Sequence, residues 1–281
     1  MSGILPALPP YHLHRTLTCG QVFRWTADGD TAAGVFAGRM VRLTQRDGAI
    51  EVEGLRSTDG MSAFGRYLGV DQDLAHIERT LAADRVLRRI LRSTSGIALI
   101  RQDPWECLIS FVISAFNNIP KIEMTLDRLC CRFGVPLAEG SWAFPRPEHL
   151  AAASLRELRG CLLGYRAPYV RDIARRVEDG RFDLRLPAAA PYGDARAMLL
   201  RLPGVGDKVA DCVLLFAYGK GQAFPVDVWV KRAVERLYFG GRPKAVREIQ
   251  GFARGRFGIL AGYAQQHLYS NERARRRRVR G

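Results

Sequence analysis

Lys208 follows two glycines in the run Leu202-Pro203-Gly204-Val205-Gly206-Asp207-Lys208-Val209-Ala210-Asp211-Cys212. A helix ends near Arg201, the glycines turn the chain, and a second helix starts at about Asp207. Lys208 therefore stands in a first turn, where the positive end of the helix dipole disfavours a cation. An ordinary lysine titrates near ~10.4 and is protonated at neutral pH. Desolvation and the field of a helix start both favour the neutral, nucleophilic amine. A solvated lysine with no role is the plain alternative. Asp227 lies nineteen residues further on, at the end of the extended run Phe224-Pro225-Val226 and directly before an apolar helix. It is placed to cap that helix. A capping carboxylate is fixed and ionised, so the same group suits the stabilisation of positive charge developing near Lys208.

Gly204 and Gly206 allow a turn with φ > 0 and close approach to another chain. The turn amides and the free N–H groups of the next helix form an anion site suited to a phosphate. A simple joint between two helices would use the same glycines. Charge bears on the choice: 43 Lys and Arg face 28 Asp and Glu among 281 residues, a formal +15. The last eleven residues hold six Arg and one Glu, so +10 remains on the rest of the chain. A polyanionic partner, most commonly nucleic acid, fits this balance, and a basic surface kept for solubility is the other reading.

The six cysteines are scattered, with no Cys-x-x-Cys pair, and most sit in apolar runs. They read as small buried hydrophobes in a reducing compartment, neither a disulfide framework nor a zinc site. No cysteine follows Cys212, which excludes a C-terminal iron–sulfur loop. No metal or cofactor is expected. The start MSGILPALPP lacks a basic region and long apolar core, and no run reaches membrane-spanning length. An intracellular, soluble, monomeric protein is expected.

Around these residues the chain predicts an α+β fold, with an antiparallel sheet domain first and an all-helical domain after it. Between Tyr11 and Glu53, VFRW, AGVFAG, RMVRLTQ and AIEVEG read as strands separated by Gly and Asp turns. From Asp73 to Leu91 the apolar spacing is helical. After Ile97 helices follow almost without interruption, beginning with the run WECLISFVISAF, apolar on nearly all sides. Further helices are predicted at about 122–133, 155–163, 167–178, 194–201, 208–218, 228–238 and 245–257, with a last one starting at Ile259. The implied domains are residues 1–95 and 96–270, followed by a basic tail, 271–281.

The glycine hairpin and Pro225-Val226-Asp227 together resemble the helix–hairpin–helix and Gly-Pro-Asp signature of the DNA glycosylase superfamily. Within it the chain is most similar to the 8-oxoguanine DNA glycosylase family. The likeness extends through Cys19-Gly20-Gln21-Val22-Phe23-Arg24-Trp25, Arg101-Gln102-Asp103-Pro104-Trp105-Glu106-Cys107 and Asn117-Asn118-Ile119. It continues through Leu163-Gly164-Tyr165-Arg166-Ala167-Pro168-Tyr169 and Tyr263-Ala264-Gln265.

The resemblance implies that Lys208 attacks the anomeric carbon of a flipped nucleotide and expels the base. It assigns Asp227 to positioning and charge stabilisation, and a Schiff base then permits β-elimination and strand nicking. Flipping is required because that carbon is inaccessible in a duplex. Cys212 and Phe216 follow Lys208 at four-residue steps on one helix face, as Tyr269 follows Gln265. The resemblance sets Cys212 and Tyr269 on opposite faces of the base, with Gln265 at its Watson–Crick edge. It sets the Gly20 carbonyl on the N7 proton that distinguishes 8-oxoguanine from guanine. Contacts to duplex DNA fall to Asn118, Lys121, Tyr165, Arg166, Gly204, Gly206 and Val209.

Three positions depart from the family's pattern: Phe116 replaces an asparagine, Lys121 an arginine, and Trp229 a histidine after the aspartate. A lysine cannot reproduce a bidentate fork, so weaker preference for cytosine opposite the lesion is expected. Two other functions share parts of the pattern. A glycosylase for other damaged purines would keep the hairpin and Asp227 without needing Gly20 or Gln265. A non-catalytic helix–hairpin–helix DNA-binding protein would explain the charge and glycines while leaving Lys208 and Asp227 without a task.

Overall fold

The computed structural model describes residues 2–55 and 58–280. Its sheet contains β1 (Ser2–Pro6), β2 (Trp25–Asp28), β3 (Thr31–Phe36), β4 (Arg39–Arg46) and β5 (Ala49–Glu53). All neighbours are antiparallel, in the order β1-β5-β4-β3-β2. Alternation explains the single wet face: Val41, Leu43, Ile50 and Val52 are buried, whereas Arg42, Glu51 and Glu53 face outward. Two expectations change here. VFRW is a strand only from Trp25, because Val22 and Phe23 belong to a buried loop packed on the core. The first strand, β1, was not foreseen, and it exists because β5 offers it a ladder from Ser2↔Glu53 to Pro6↔Ala49.

Helix α1 (Leu13–Thr18) precedes the buried loop, and α2 (Thr58–Leu68), α3 (Leu74–Leu81) and α4 (Arg85–Thr94) follow the sheet. The stretch 73–91, read as one helical run, is broken at Asp84. Its carboxylate caps α4 through Val86 N at 2.8 Å and Leu87 N at 2.9 Å. The remaining chain is helical: α5 (Pro104–Ile113), α6 (Ile119–Phe133), α7 (Pro147–Ala152), α8 (Leu155–Gly160), α9 (Ala167–Glu178) and α10 (Leu186–Ala189). Then come α11 (Tyr192–Leu200), α12 (Asp207–Phe216), α13 (Val228–Tyr238), α14 (Val246–Phe257) and α15 (Ala261–Arg280). Helix α15 is continuous through the arginine-rich segment. Among the described residues, no helix is long and apolar enough to cross a membrane.

Helix α5 is the axis of the molecule. Every side chain from Cys107 to Ile113 is buried. One end of the helix meets the sheet, where Arg24 pairs with Glu106 at 3.3 Å, and the other end reaches α12. The loop after α1 is tied to the segment before α5 by Gln21, whose side chain is fully buried. Its amide donates to the Thr16 and Ala98 carbonyls at 2.9 and 2.8 Å and accepts from Ile100 N at 3.0 Å.

Candidate active site

Lys208 is half-buried in the first turn of α12. Its Nζ donates to Ser114 Oγ at 2.8 Å and lies 4.8 Å from the centre of the Phe111 ring. Ser114 caps the end of α5 and donates in turn to the Phe111 carbonyl at 2.7 Å. Sequence reasoning passed over this serine; its only signal was a hydroxyl closing a mostly apolar helix. Asp227 caps α13, with Oδ1 accepting from Trp229 N at 3.0 Å and Val230 N at 2.7 Å. Burial raises its carboxyl above the ordinary range, opposed by the Val230 amide and then by Lys208. The cap and the partner of Lys208 are thus the same carboxylate.

Cys212, one turn beyond Lys208, is buried, and burial pushes its thiol up to about 12 while Lys208 pulls it down. It presents a neutral, apolar sulfur at working pH. Burial also pushes the Tyr269 phenol up to about 12, with Asp227 adding to the rise and Arg273 opposing it. Asp227 acts electrostatically on Lys208's neighbour Cys212 and on Tyr269, so both, with Lys208, lie within electrostatic reach of one carboxylate. Gly20 lies against Tyr269: φ is +85°, and a Cβ there would lie 3.1 Å from Tyr269 Cε1. Only glycine fits this approach without strain. Gln265 is buried on α15, its Oε1 accepting from Gln266 Nε2 at 3.1 Å.

Phe216 shares a helix face with Lys208 and Cys212 but lies a layer deeper. It is 1% exposed and stacks on Phe111 at 5.5 Å. The role that geometry gives it is support for the floor beneath Lys208, not contact with a base. Asp211 was also missed: fully buried, it fastens α12 to its neighbours. It accepts from Tyr192 Oη at 2.7 Å, Arg196 Nε at 3.3 Å and Gln250 Nε2 at 2.5 Å.

The hairpin has the form needed to hold an anion. Gly204 takes φ +75°, and any Cβ would strike the Tyr169 ring at 2.7 Å. Gly206 is an N-cap without a side chain, and the first helical bond is Ala210 N to Gly206 O. The amides of Asp207, Lys208 and Val209 have no acceptor within the helix. Val209 can offer DNA only this amide, because its side chain is buried in the core. Beside the hairpin, a groove of about 310 Å³ is lined by Val112, Ala115, Phe116, Tyr165, Arg166, Tyr169, Gly204, Val205 and Gly206. Phe116 is fully exposed at φ +50°. Tyr165 is 54% exposed, whereas Arg166 is buried and donates to the Ala115 and Phe116 carbonyls. Arg166 therefore holds up the loop that presents Phe116. Asn118 caps α6 by accepting from Lys121 N at 3.0 Å, and the Lys121 side chain is exposed. Among the described residues, no three His, Cys, Asp or Glu side chains group as metal ligands.

Known proteins share this architecture. The family described as 8-oxoguanine DNA glycosylase, N-terminal domain, matches residues 7–108, and the HhH-GPD superfamily base excision DNA repair protein family matches residues 109–254. A probable N-glycosylase/DNA lyase of Methanothermobacter thermautotrophicus is 34% identical over 217 residues, 69% of each chain. The N-glycosylase/DNA lyase OGG1 of Arabidopsis thaliana is 30% identical over 92% of this chain and 76% of its own. The Clostridium acetobutylicum 8-oxoguanine glycosylase/lyase, solved with duplex DNA carrying cytosine opposite 8-oxoguanine, superposes with a TM-score of 0.90 at 30% identity. That match covers 95% of this chain and 93% of the other. With both halves matched and the lysine, aspartate and glycine hairpin in place, the chain belongs to the 8-oxoguanine DNA glycosylase/lyase family of the HhH-GPD superfamily.

Proposed function

We infer that this enzyme flips 8-oxoguanine from duplex DNA and excises it, with Lys208 as nucleophile and Asp227 as the carboxylate that steadies the reacting sugar. Nζ of Lys208 bonds to the anomeric carbon as the glycosidic bond breaks and the base departs. The aminal opens to a Schiff base, and loss of a proton from the neighbouring sugar carbon expels the 3′ phosphate, nicking the strand. The enzyme is thus a bifunctional glycosylase and AP lyase. The electrostatic reach of Asp227 to Lys208, Cys212 and Tyr269, with Gly20 packed against the Tyr269 ring, carries this reading. Cys212 and Tyr269 sandwich the base, Gln265 reads its edge and the Gly20 carbonyl accepts its N7 proton. One such desolvated bond is worth about 1–3 kcal/mol.

At the other side of the hairpin, Phe116 wedges into the gap left by the flipped nucleotide, with Tyr165 beside it. A left-handed, fully exposed phenylalanine is a strained conformation of the kind found at functional sites. Phenylalanine stacks and cannot hydrogen-bond an orphaned base, so it reads that base weakly. Asn118, Lys121 and the hairpin amides hold the backbone. The enzyme works as a monomer within the cell, where its DNA substrate lies.

Borohydride trapping on a duplex with one 8-oxoguanine tests the chemistry. A covalent adduct should form with the wild type and vanish in Lys208→Gln, while duplex binding survives as proof of folding. An adduct only with an alkylated purine would point to the other glycosylase activity, and none with any lesion to a binding protein.

A further inference from the structure

The arginine-rich end of α15 is a built part of the molecule. Glu272 is 2% exposed and holds it in place, taking Arg236 of α13 at 2.6 Å, Arg275 at 3.4 Å and Arg276 Nε at 3.6 Å. Arg273 Nη1 donates to the Thr18 carbonyl at 2.6 Å, two residues before Gly20. Arg276 lays its guanidinium on the Trp229 ring, 3.9 Å from the centre, while Arg232 approaches the same ring at 6.0 Å. The Trp229 amide is one of the two that Asp227 caps. The guanidinium therefore lies over a side chain of the first turn of α13, the helix that Asp227 caps. Its Nε is buried without a hydrogen-bond partner, and among the described residues the whole group makes no hydrogen bond. About a third of the side chain, 34%, stays exposed.

A guanidinium held flat by stacking, its Nε towards Glu272 and its terminal nitrogens without a hydrogen bond among the described residues, matches the geometry of a phosphodiester. We propose that Arg276, set on Trp229 and anchored through Glu272, contacts the backbone phosphate of the flipped nucleotide, making the end of α15 a wall of the lesion site. This rests on the glycosylase reading. It differs from general attraction of a basic tail to DNA, because one positioned arginine would act only when the nucleotide is flipped.

The test compares Arg276→Ala and Arg276→Lys with a deletion of residues 277–281, which removes three other arginines. Affinity is measured for a duplex holding a stable abasic analogue and for undamaged duplex, alongside single-turnover excision of 8-oxoguanine. Arg276→Ala should weaken binding to the abasic duplex about tenfold, the scale of a charge-assisted hydrogen bond, and slow excision, with undamaged duplex changed less than about twofold. The deletion should lower both affinities together through lost counterion release. Arg276→Lys should keep binding to undamaged duplex and lose the lesion-selective part, which decides the matter if the alanine variant melts early. Equal loss on both duplexes, no loss, or reproduction of the selective loss by the deletion would overturn the proposal. Normal wild-type excision with an unaffected Arg276→Ala sinks this proposal alone; a wild type that excises nothing sinks the glycosylase reading and the proposal with it.

Discussion

Burial raises the affinity of the Asp227 carboxyl for a proton, while the two amides it caps and Lys208 pull the other way. Because its proton affinity in the fold exceeds the ordinary value of 3.8, this group adds stability as it becomes protonated and removes it as pH rises. Activity runs oppositely, since the sugar cation needs the carboxylate. Excision should therefore fail on the acidic side at a higher pH than an ordinary aspartate dictates, before any acid unfolding. Asp227→Asn keeps a good capping residue and removes the buried charge. We expect excision to fall about 100-fold or more, on the scale of losing one electrostatic stabiliser, with an unchanged or higher melting temperature; an early-melting variant would count against the dual role. Phe116 leads to a second outcome. Excision measured with 8-oxoguanine opposite each of the four bases should vary within about tenfold, and cleavage opposite cytosine alone would contradict the stacking wedge. Lys208, Asp227 and the glycines were legible in the sequence because each bears on a local rule of helix starts or turns, Lys208 by breaking one and the others by following one. Ser114, Gln21 and Asp211 were not, because their partners lie up to 94 residues away, beyond what any local pattern reports.

Helices were legible where a cap or apolar period ends sharply, as in α9 and α13, and illegible where neighbours decide. Strand β1 is made by the edge of β5, and the split between α3 and α4 by Asp84, which also receives Arg256 Nε at 2.6 Å and the Tyr238 hydroxyl at 3.0 Å. Helix α15, which carries Gln265, Tyr269 and Arg276, is docked on α4 through buried His267, whose Nδ1 is 2.9 Å from Thr94 Oγ1. Burial pushes this imidazole down to about 4 from its ordinary 6.5. The neutral ring is the form that fits, so its contribution is complete above pH 6.5 and is lost as pH falls toward 4. At pH 5 that amounts to about 2 kcal/mol, taking 1.36 kcal/mol per unit. His267→Gln should unfold more easily at pH 7 yet show a flatter loss of stability between pH 6.5 and 5 in denaturant titrations. An equally steep profile would place the acid sensitivity elsewhere.

Across the whole molecule, the proposed site draws on two parts: Gly20 from the loop beside the sheet, and Lys208, Cys212, Asp227, Gln265 and Tyr269 from the helical part. Their alignment depends on ties between the two. The +15 charge explains attraction to DNA but has no bearing on this alignment. Gln21 is one of these ties, and Arg24 with Glu106 is another. Arg24 also donates to the Trp142 carbonyl and lies 5.8 Å over the Phe144 ring, so it fixes three segments at once. Burial raises the Glu106 carboxyl and Arg24 opposes that rise most strongly. Removing Arg24 leaves a carboxylate with little solvent to replace its partner. Breaking a fully buried pair costs about 3–5 kcal/mol; Glu106 keeps 27% of its side-chain surface exposed, so Arg24→Ala should cost nearer about 2 kcal/mol. The loss should be larger at pH 8 than at pH 5, because the stranded carboxyl can take up a proton in acid. Adding Glu106→Leu should restore most of the stability at pH 8, since two apolar groups no longer strand a charge. If the double variant is as unstable as Arg24→Ala, the arginine acts through Trp142 and Phe144, and the electrostatic tie between the two parts is not what aligns the site.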